Sequence, residues 1–286
     1  MIKNRKKAFI FIVIAAIALV SVILALWGNS SLKITSYEIT SPEIPESFDG
    51  YRITLVSDLH DVLHGKDNNK LTEAIRSTEP DIIVLCGDMI DCTRPDESRS
   101  LTFIENTAKI AKTYYVTGNH ESQLDDAEGF LGRVEKAGAE ILRNESIEIE
   151  RDGRTVNLIG IDDPFFLSEY IDSNLQISVH KTLQKIMPEE GYNILLSHRP
   201  DYFDIFLING ADLVLSGHTH GGQFRLPVIG GLYAPDQGIF PRFDKGLYQS
   251  GDMNMIISSG TGNSGFPLRL NNRPEIVTVT LKTEEN

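Results

Sequence analysis

The sequence predicts an α/β chain of alternating strands and helices behind an amino-terminal transmembrane helix. Three observations carry that prediction. Residues 8–27 form an apolar run whose only polar member is Ser21. Short apolar runs bounded by turn residues follow, read as strands at 53–56, 82–86, 114–116, 194–196 and 213–215. Helical patterns at 71–77, 101–111 and 130–137 lie between several of them. Strands alternating with helices imply a sheet with helical crossovers.

The bulk numbers set the frame. At 286 residues the chain holds one sizeable catalytic domain or two small ones, and 41% hydrophobic with 23% charged residues is ordinary for a globular protein. A formal charge of −13 argues against a nucleic-acid partner held by phosphate neutralisation. Cys86 and Cys92 are the only cysteines and are expected as free thiols, so no disulfide framework holds this fold.

Taken in order, the first element is the apolar run. As a helix it rises about 1.5 Å per residue and spans roughly 30 Å, the thickness of a bilayer core. A cleaved secretory signal has a shorter core and a small-x-small cleavage site, and Leu26-Trp27-Gly28 fits such a site poorly. A retained anchor is therefore expected over 1–30. Lys3, Arg5, Lys6 and Lys7 precede the run and should stay in the cytoplasm, which places the rest of the chain on the extracytoplasmic side. A half-exposed strand at 33–40 and a Pro- and Ser-containing connector make up 31–50. The catalytic domain is expected over 51–286. Within it, 147–150 and 156–161 flank Asp152-Gly153 as a β-hairpin, and 255–258 and 276–281 read as later strands.

Five polar clusters each follow the end of an expected strand. They are Asp58-Leu59-His60, Gly87-Asp88-Met89-Ile90-Asp91, Gly118-Asn119-His120-Glu121, Ser197-His198 and Gly217-His218-Thr219-His220. Ligands collect beyond the carboxyl ends of strands in sheets with crossover helices, so loops scattered over about 160 positions can converge there. Asp58, His60, Asp88, Asn119, His198, His218 and His220 offer oxygen and imidazole nitrogen and no thiolate. That set suits Mn, Fe, Zn or Mg, and its size fits two divalent ions sharing a carboxylate. The glycines before Asp88, Asn119 and His218 are expected to let the backbone turn and approach closely. Taken singly each cluster is weak; their order and spacing together are not.

These motifs resemble those of the calcineurin-like metallophosphoesterase superfamily. The stretch from Ser216 to Gln223, with Arg225-Leu226-Pro227, Pro267-Leu268-Arg269 and Asn272-Arg273-Pro274-Glu275, is similar to its bacterial YkuE/YaeI branch. The resemblance covers roughly 50–281. It implies a four-layer α/β/β/α sandwich with metals at one sheet edge. It would assign Asp58, His60 and His220 to one ion, Asn119, His198 and His218 to the other, and Asp88 between them. His120 would face the leaving oxygen as general acid or stabilising cation, with Asp91 orienting it. A metal-activated water would attack phosphorus without a covalent enzyme intermediate. One departure is visible: phosphoprotein phosphatases continue the Gly-Asp-x-x-Asp motif with Arg-Gly, where Cys92-Thr93 stands here.

Arg199 is a candidate to replace that lost guanidinium, against a reading as a solvated surface arginine. His64 is a candidate substrate contact, against a plain loop residue, and Glu121 a candidate support for His120 or a metal ligand. His180 is assigned no role. The expected function is hydrolysis of a phosphodiester or pyrophosphate, of lipid or cell-envelope origin given the anchor. A phosphomonoesterase with the same metals is the alternative. A non-catalytic metal-binding scaffold is the alternative of another class, disfavoured because every ligand position and His120 are filled.

Overall fold

Apolar strands with no polar alternation are buried on both faces, and the computed structural model shows what covers them. It describes residues 6–7, 9–16, 19–20, 28–29, 31–167, 174–263, 265–266 and 268–284. Half of the apolar run 8–27 falls outside the described residues, and no helix among those described is long and apolar enough to cross a membrane.

One six-stranded sheet contains β1 (Lys33–Ser41), β2 (Arg52–Val56), β3 (Ile82–Cys86), β4 (Lys112–Val116) and β5 (Ala139–Ile141), with β16 (Glu275–Thr283) between β1 and β2. β16 runs parallel to β1 and antiparallel to β2, and β2 to β5 are parallel. The second sheet has the order β14 (Gly246–Ser250), β15 (Met253–Ile257), β9 (Leu213–Ser216), β8 (Asn193–Leu196), β7 (Arg154–Gly160) and β6 (Glu145–Arg151). β7, β8, β9 and β15 are parallel, and the flanking strands β6 and β14 are antiparallel. Both sheets are therefore mixed.

Alternate residues of each strand point to opposite faces, so every central strand feeds two cores. Leu55 and Val84 meet Leu158, Ile194 and Leu215 between the sheets. On the outer face of the first sheet, Val56, Ile83 and Leu85 pack against Leu71 and Ile75 of α1 (Asn69–Ser77) and Phe103 of α2 (Glu97–Ala108). Phe130 and Val134 of α4 (Ala127–Lys136) join that layer, α3 (Asn119–Ser122) being a single turn ahead of it. On the far side Ile159, Leu195 and Val214 meet Val179 and Leu183 of α6 (Leu175–Ile186) and Phe206 of α7 (Phe203–Ile208); α5 (Pro164–Leu167) is again one turn. The layers run helix, sheet, sheet, helix.

The expected hairpin forms, with Arg151 paired to Arg154 across Asp152 (φ 52°) and Gly153 (φ 75°). Positive φ at both turn residues matches the right-handed twist of the strands. After β9 come two short antiparallel ribbons, β10 (Arg225–Leu226) with β11 (Gly230–Gly231) and β12 (Tyr233–Ala234) with β13 (Gly238–Ile239).

Candidate metal centre

The parallel run β2, β3, β4 ends at 56, 86 and 116, and β8 and β9 end at 196 and 216, so all five polar loops leave the carboxyl edge. The backbone then bends sharply: Asp58, His60, Asp88, His218 and His220 all adopt positive φ. Non-glycine residues rarely do so, and such conformations persist where the surroundings over-determine them. Gly87 takes φ 74°, and a Cβ there would stand 2.6 Å from His198 Nδ1. At Gly217 the matter is closeness alone, since a Cβ would lie 2.5 Å from Asp58 Oδ2.

Several groups of donors result among the described residues, one of them bringing His120 to His60 and Asp88, and two consist wholly of expected ligands. Ligand atoms of Asp58, His60 and His220 all lie within 4.8 Å of one another, and so do those of Asp88, His198 and His218. His60 Nε2 faces His220 Nε2 at 3.2 Å, and His198 Nε2 faces His218 Nδ1 at 3.2 Å. Asp88 stands between the groups, its Oδ2 at 3.2 Å from His198 Nε2 and 3.7 Å from His60 Nε2. Asn119 Oδ1 is buried without a hydrogen-bond partner. A buried carbonyl oxygen left so, on the residue before His120, whose N–H donates to Asp88 Oδ1 at 2.8 Å, fits a hard or borderline cation. Asp58, His60 and His220 could hold one such ion and Asp88, His198 and His218 another, with Asn119 as a further oxygen donor.

Electrostatics follow from the burial. Burial depresses His60 to about 3 and pushes Asp58 up to about 6. Burial alone would also depress His198, but the Asp88 carboxylate overrides it and lifts this imidazole to about 10. Asp88 is held well below the carboxylate range despite its burial, chiefly by His198.

A supporting layer fixes these groups. Glu121 accepts from the backbone N–H of Asp88 (2.9 Å), Met89 (2.8 Å) and Gly118 (2.8 Å) and from Tyr115 Oη (2.6 Å), so it binds two ligand loops together. Its support goes to the Asp88 and Asn119 loops rather than to the His120 ring. His198 Nδ1 donates to the Cys86 carbonyl at 2.8 Å, which presents Nε2 to the centre. Cys86 and Cys92 are free thiols, as expected.

The other candidates fall differently. His120 lies at the rim with Nε2 4.0 Å from Asp88 Oδ2 and its ring edge-on to His60 at 4.4 Å. Asp91 Oδ1 is 3.8 Å from His120 Nδ1, and it is the Cys92 N–H that donates to that nitrogen, at 3.1 Å. Asp91 thus stands at ion-pair distance from His120 Nδ1, while the hydrogen bond to that nitrogen comes from the Cys92 N–H. Arg199 is no surface arginine: it is buried, bonded to Asp163 at 2.6 Å, paired with Asp236 and 3.4 Å from His218 Nε2. His64 is buried and belongs to neither donor group; its Nε2 is bonded to the Thr261 carbonyl at 2.8 Å. Residue-by-residue reading missed Asp236, whose Oδ2 sits 3.0 Å from His218 Nε2, and the fully buried Arg269, 3.4 Å from His220 Nδ1.

A two-sheet sandwich that gathers imidazole, carboxylate and amide donors where the carboxyl ends of both sheets meet defines a metallophosphoesterase. The family model for calcineurin-like phosphoesterases matches residues 51–222. Among curated relatives, a "Transmembrane protein with metallophosphoesterase domain" of Danio rerio is 31% identical over 92% of this chain and 61% of its own length. The metallophosphoesterases YkuE and YkoQ of Bacillus subtilis (strain 168) are each 28% identical. YkuE aligns over 88% of this chain and 86% of its own, YkoQ over 87% and 90%. The chain belongs to the calcineurin-like phosphoesterase family, in its YkuE-like branch.

Proposed function

We propose that this chain is a membrane-anchored phosphodiesterase that works with two divalent metal ions. The observation that carries the reading is Asp88, placed within 3.7 Å of His60 and 3.2 Å of His198 so that one carboxylate serves both donor groups. Two ions held there would lower the pKa of a water and stabilise the attacking and leaving oxygens of an in-line displacement. The chain's own residues supply the rest. Asp58, Asp88 and Asn119 would supply the oxygen donors, while Glu121 fixes the loops of Asp88 and Asn119 and the Cys86 carbonyl fixes the His198 ring. His120, at the open rim, is placed to hold a proton at Nε2 toward a leaving oxygen. Arg199, held by Asp163 beside His218, brings the guanidinium that Cys92-Thr93 does not provide. Proton transfer of this kind is worth about 10²–10⁴-fold.

The apolar run 8–27 with its basic flank supports a retained anchor and an extracytoplasmic catalytic body, and the Danio rerio relative carries "transmembrane" in its name. The test of substrate class is turnover of the metal-reconstituted protein on bis-p-nitrophenyl phosphate beside p-nitrophenyl phosphate. Preference for the diester is expected. A monoester preference would overturn the diesterase reading, and no turnover of either with both metals bound would favour a scaffold.

A further inference from the structure

The ribbons that follow β9 present an exposed apolar surface outside the two donor groups. Val228, at the turn of the first ribbon, is fully exposed; Ile239 and Phe240 on the second are 69% and 58% exposed, and Phe266 is 50% exposed. These residues share one platform. Leu232 N–H donates to the Phe224 carbonyl at 2.8 Å, Phe240 N–H to the Leu232 carbonyl at 2.9 Å, and the Phe224 and Phe266 rings lie 5.4 Å apart. Single exposed apolar residues are ordinary, whereas a contiguous patch marks a partner.

Beside the platform is a cavity of about 630 Å³ lined by Lys33, Arg225, Lys245 and Arg273 among Leu226 and Leu270. Among the described residues Glu275 lies 3.8 Å from Lys33 and 3.9 Å from Lys245, and Asp244 2.8 Å from Arg225. A locally positive, partly apolar pocket on a chain of charge −13 is complementary to an anionic amphiphile.

The position of the patch says which amphiphile. Gly28 lines the same cavity, and Asn29 Oδ1 accepts from the Arg269 N–H at 3.1 Å. Arg273 donates to the carbonyls of Ser31 and Leu32 at 3.0 and 2.6 Å. The chain therefore joins the folded body here, immediately after the apolar run 8–27. If that run spans a bilayer, this face is the part of the body nearest the membrane surface.

We propose that the 224–240 ribbons, with Phe266 and residues 268–270 beside them, dock on the lipid bilayer, with the basic cavity receiving an anionic lipid headgroup. This rests on the anchor reading above. The same ribbon that presents Ile239 and Phe240 carries Asp236 to His218, and Asn272 of the cavity wall donates to the His220 carbonyl at 2.6 Å. Docking thus touches the supports of two metal-centre histidines.

The test uses the full chain with Cys92→Ser, reconstituted into phosphatidylcholine vesicles with or without phosphatidylglycerol. A fluorophore is placed on Val228→Cys, Ile239→Cys, Ile14→Cys or Ile208→Cys. Ile208 is 69% exposed at the end of α7, ahead of β9 and so toward the opposite edge of its sheet. Interfacial elements sit about 5–10 Å into the headgroup boundary, so lipids spin-labelled near the headgroup should quench 228 and 239 and leave 208 bright. Quenching at 228 should deepen when phosphatidylglycerol is present. Quenching at 14 without quenching at 228 and 239 would overturn docking and leave the anchor standing. Absence of quenching at 14 as well would remove the anchor, and the proposal with it. A fluorophore at 228 shielded from water but unquenched would mean that protein covers the patch, which also overturns it.

Discussion

Asp88 joins the two halves of the centre, and its replacement separates shape from charge. Asp88→Asn keeps the size and removes the negative charge facing His198 and His60. Metal content and turnover should both collapse; two metals per chain with near-normal turnover would refute the shared-ligand assignment. His120 touches no proposed ligand set as firmly, so His120→Asn should keep both metals and lower kcat by about 10²–10⁴-fold on an alkoxide leaving group, less on p-nitrophenolate. Asp91→Asn should give a milder loss, because Asp91 reaches His120 across 3.8 Å without a hydrogen bond. Equal losses on both leaving groups would argue against proton donation. If His198 holds a metal as proposed, metal uptake should depend on pH. Its folded pKa, about 10, is raised above the ordinary histidine value, so in metal-free protein its pairing with Asp88 stabilises fully below about pH 6.5 and fades as pH rises through 10. Metal binding needs neutral imidazole and expels that proton, so affinity should rise about tenfold per pH unit between pH 7 and 9. Calorimetric titration with Mn or Zn in buffers of different ionisation enthalpy checks this, and a flat profile would exclude it.

At the scale of elements, the loops that build the centre were legible because each follows an apolar strand and carries its own glycine or histidine signal. The central strands β2, β3, β8 and β9 were legible for the same reason. Short β5, β14 and the ribbons were not, since three or fewer apolar residues in an edge strand leave no periodicity to read. Nor were Asp236 and Arg269 assigned roles from residue patterns alone. Their partners, His218 and His220, lie 18 and 49 residues away, and only the tertiary fold brings them into contact. Glu121 was visible as a neighbour of His120, yet its bonds to the Asp88 loop, 33 residues back, are a fact of packing. Glu121→Ala would leave three backbone N–H groups and the Tyr115 hydroxyl without their acceptor. Each buried group so stranded costs about 1–3 kcal/mol, so thermal melting of the metal-free protein should fall markedly. A melting temperature unchanged from the parent would show that this carboxylate is not a structural hub.

For the molecule as a whole, the first prediction is orientation. A reporter fused after Asn286 should be active outside the cytoplasm, because Lys3, Arg5, Lys6 and Lys7 hold the amino terminus inside. Activity confined to the cytoplasm would reverse the topology. The sheet order carries a different consequence. β16 lies between β1 and β2, pairing Lys33 with Glu275 and Leu55 with Val277. Strands made early in synthesis thus wait for residues made more than two hundred positions later before either edge is closed. Until 275–283 has emerged, both offer open hydrogen-bonding edges to any neighbouring chain. If the chain is exported as proposed, it meets this delay on the far side of the membrane, and its window of vulnerability to aggregation and proteolysis is then set by translation and export rather than by the stability of the finished sheet.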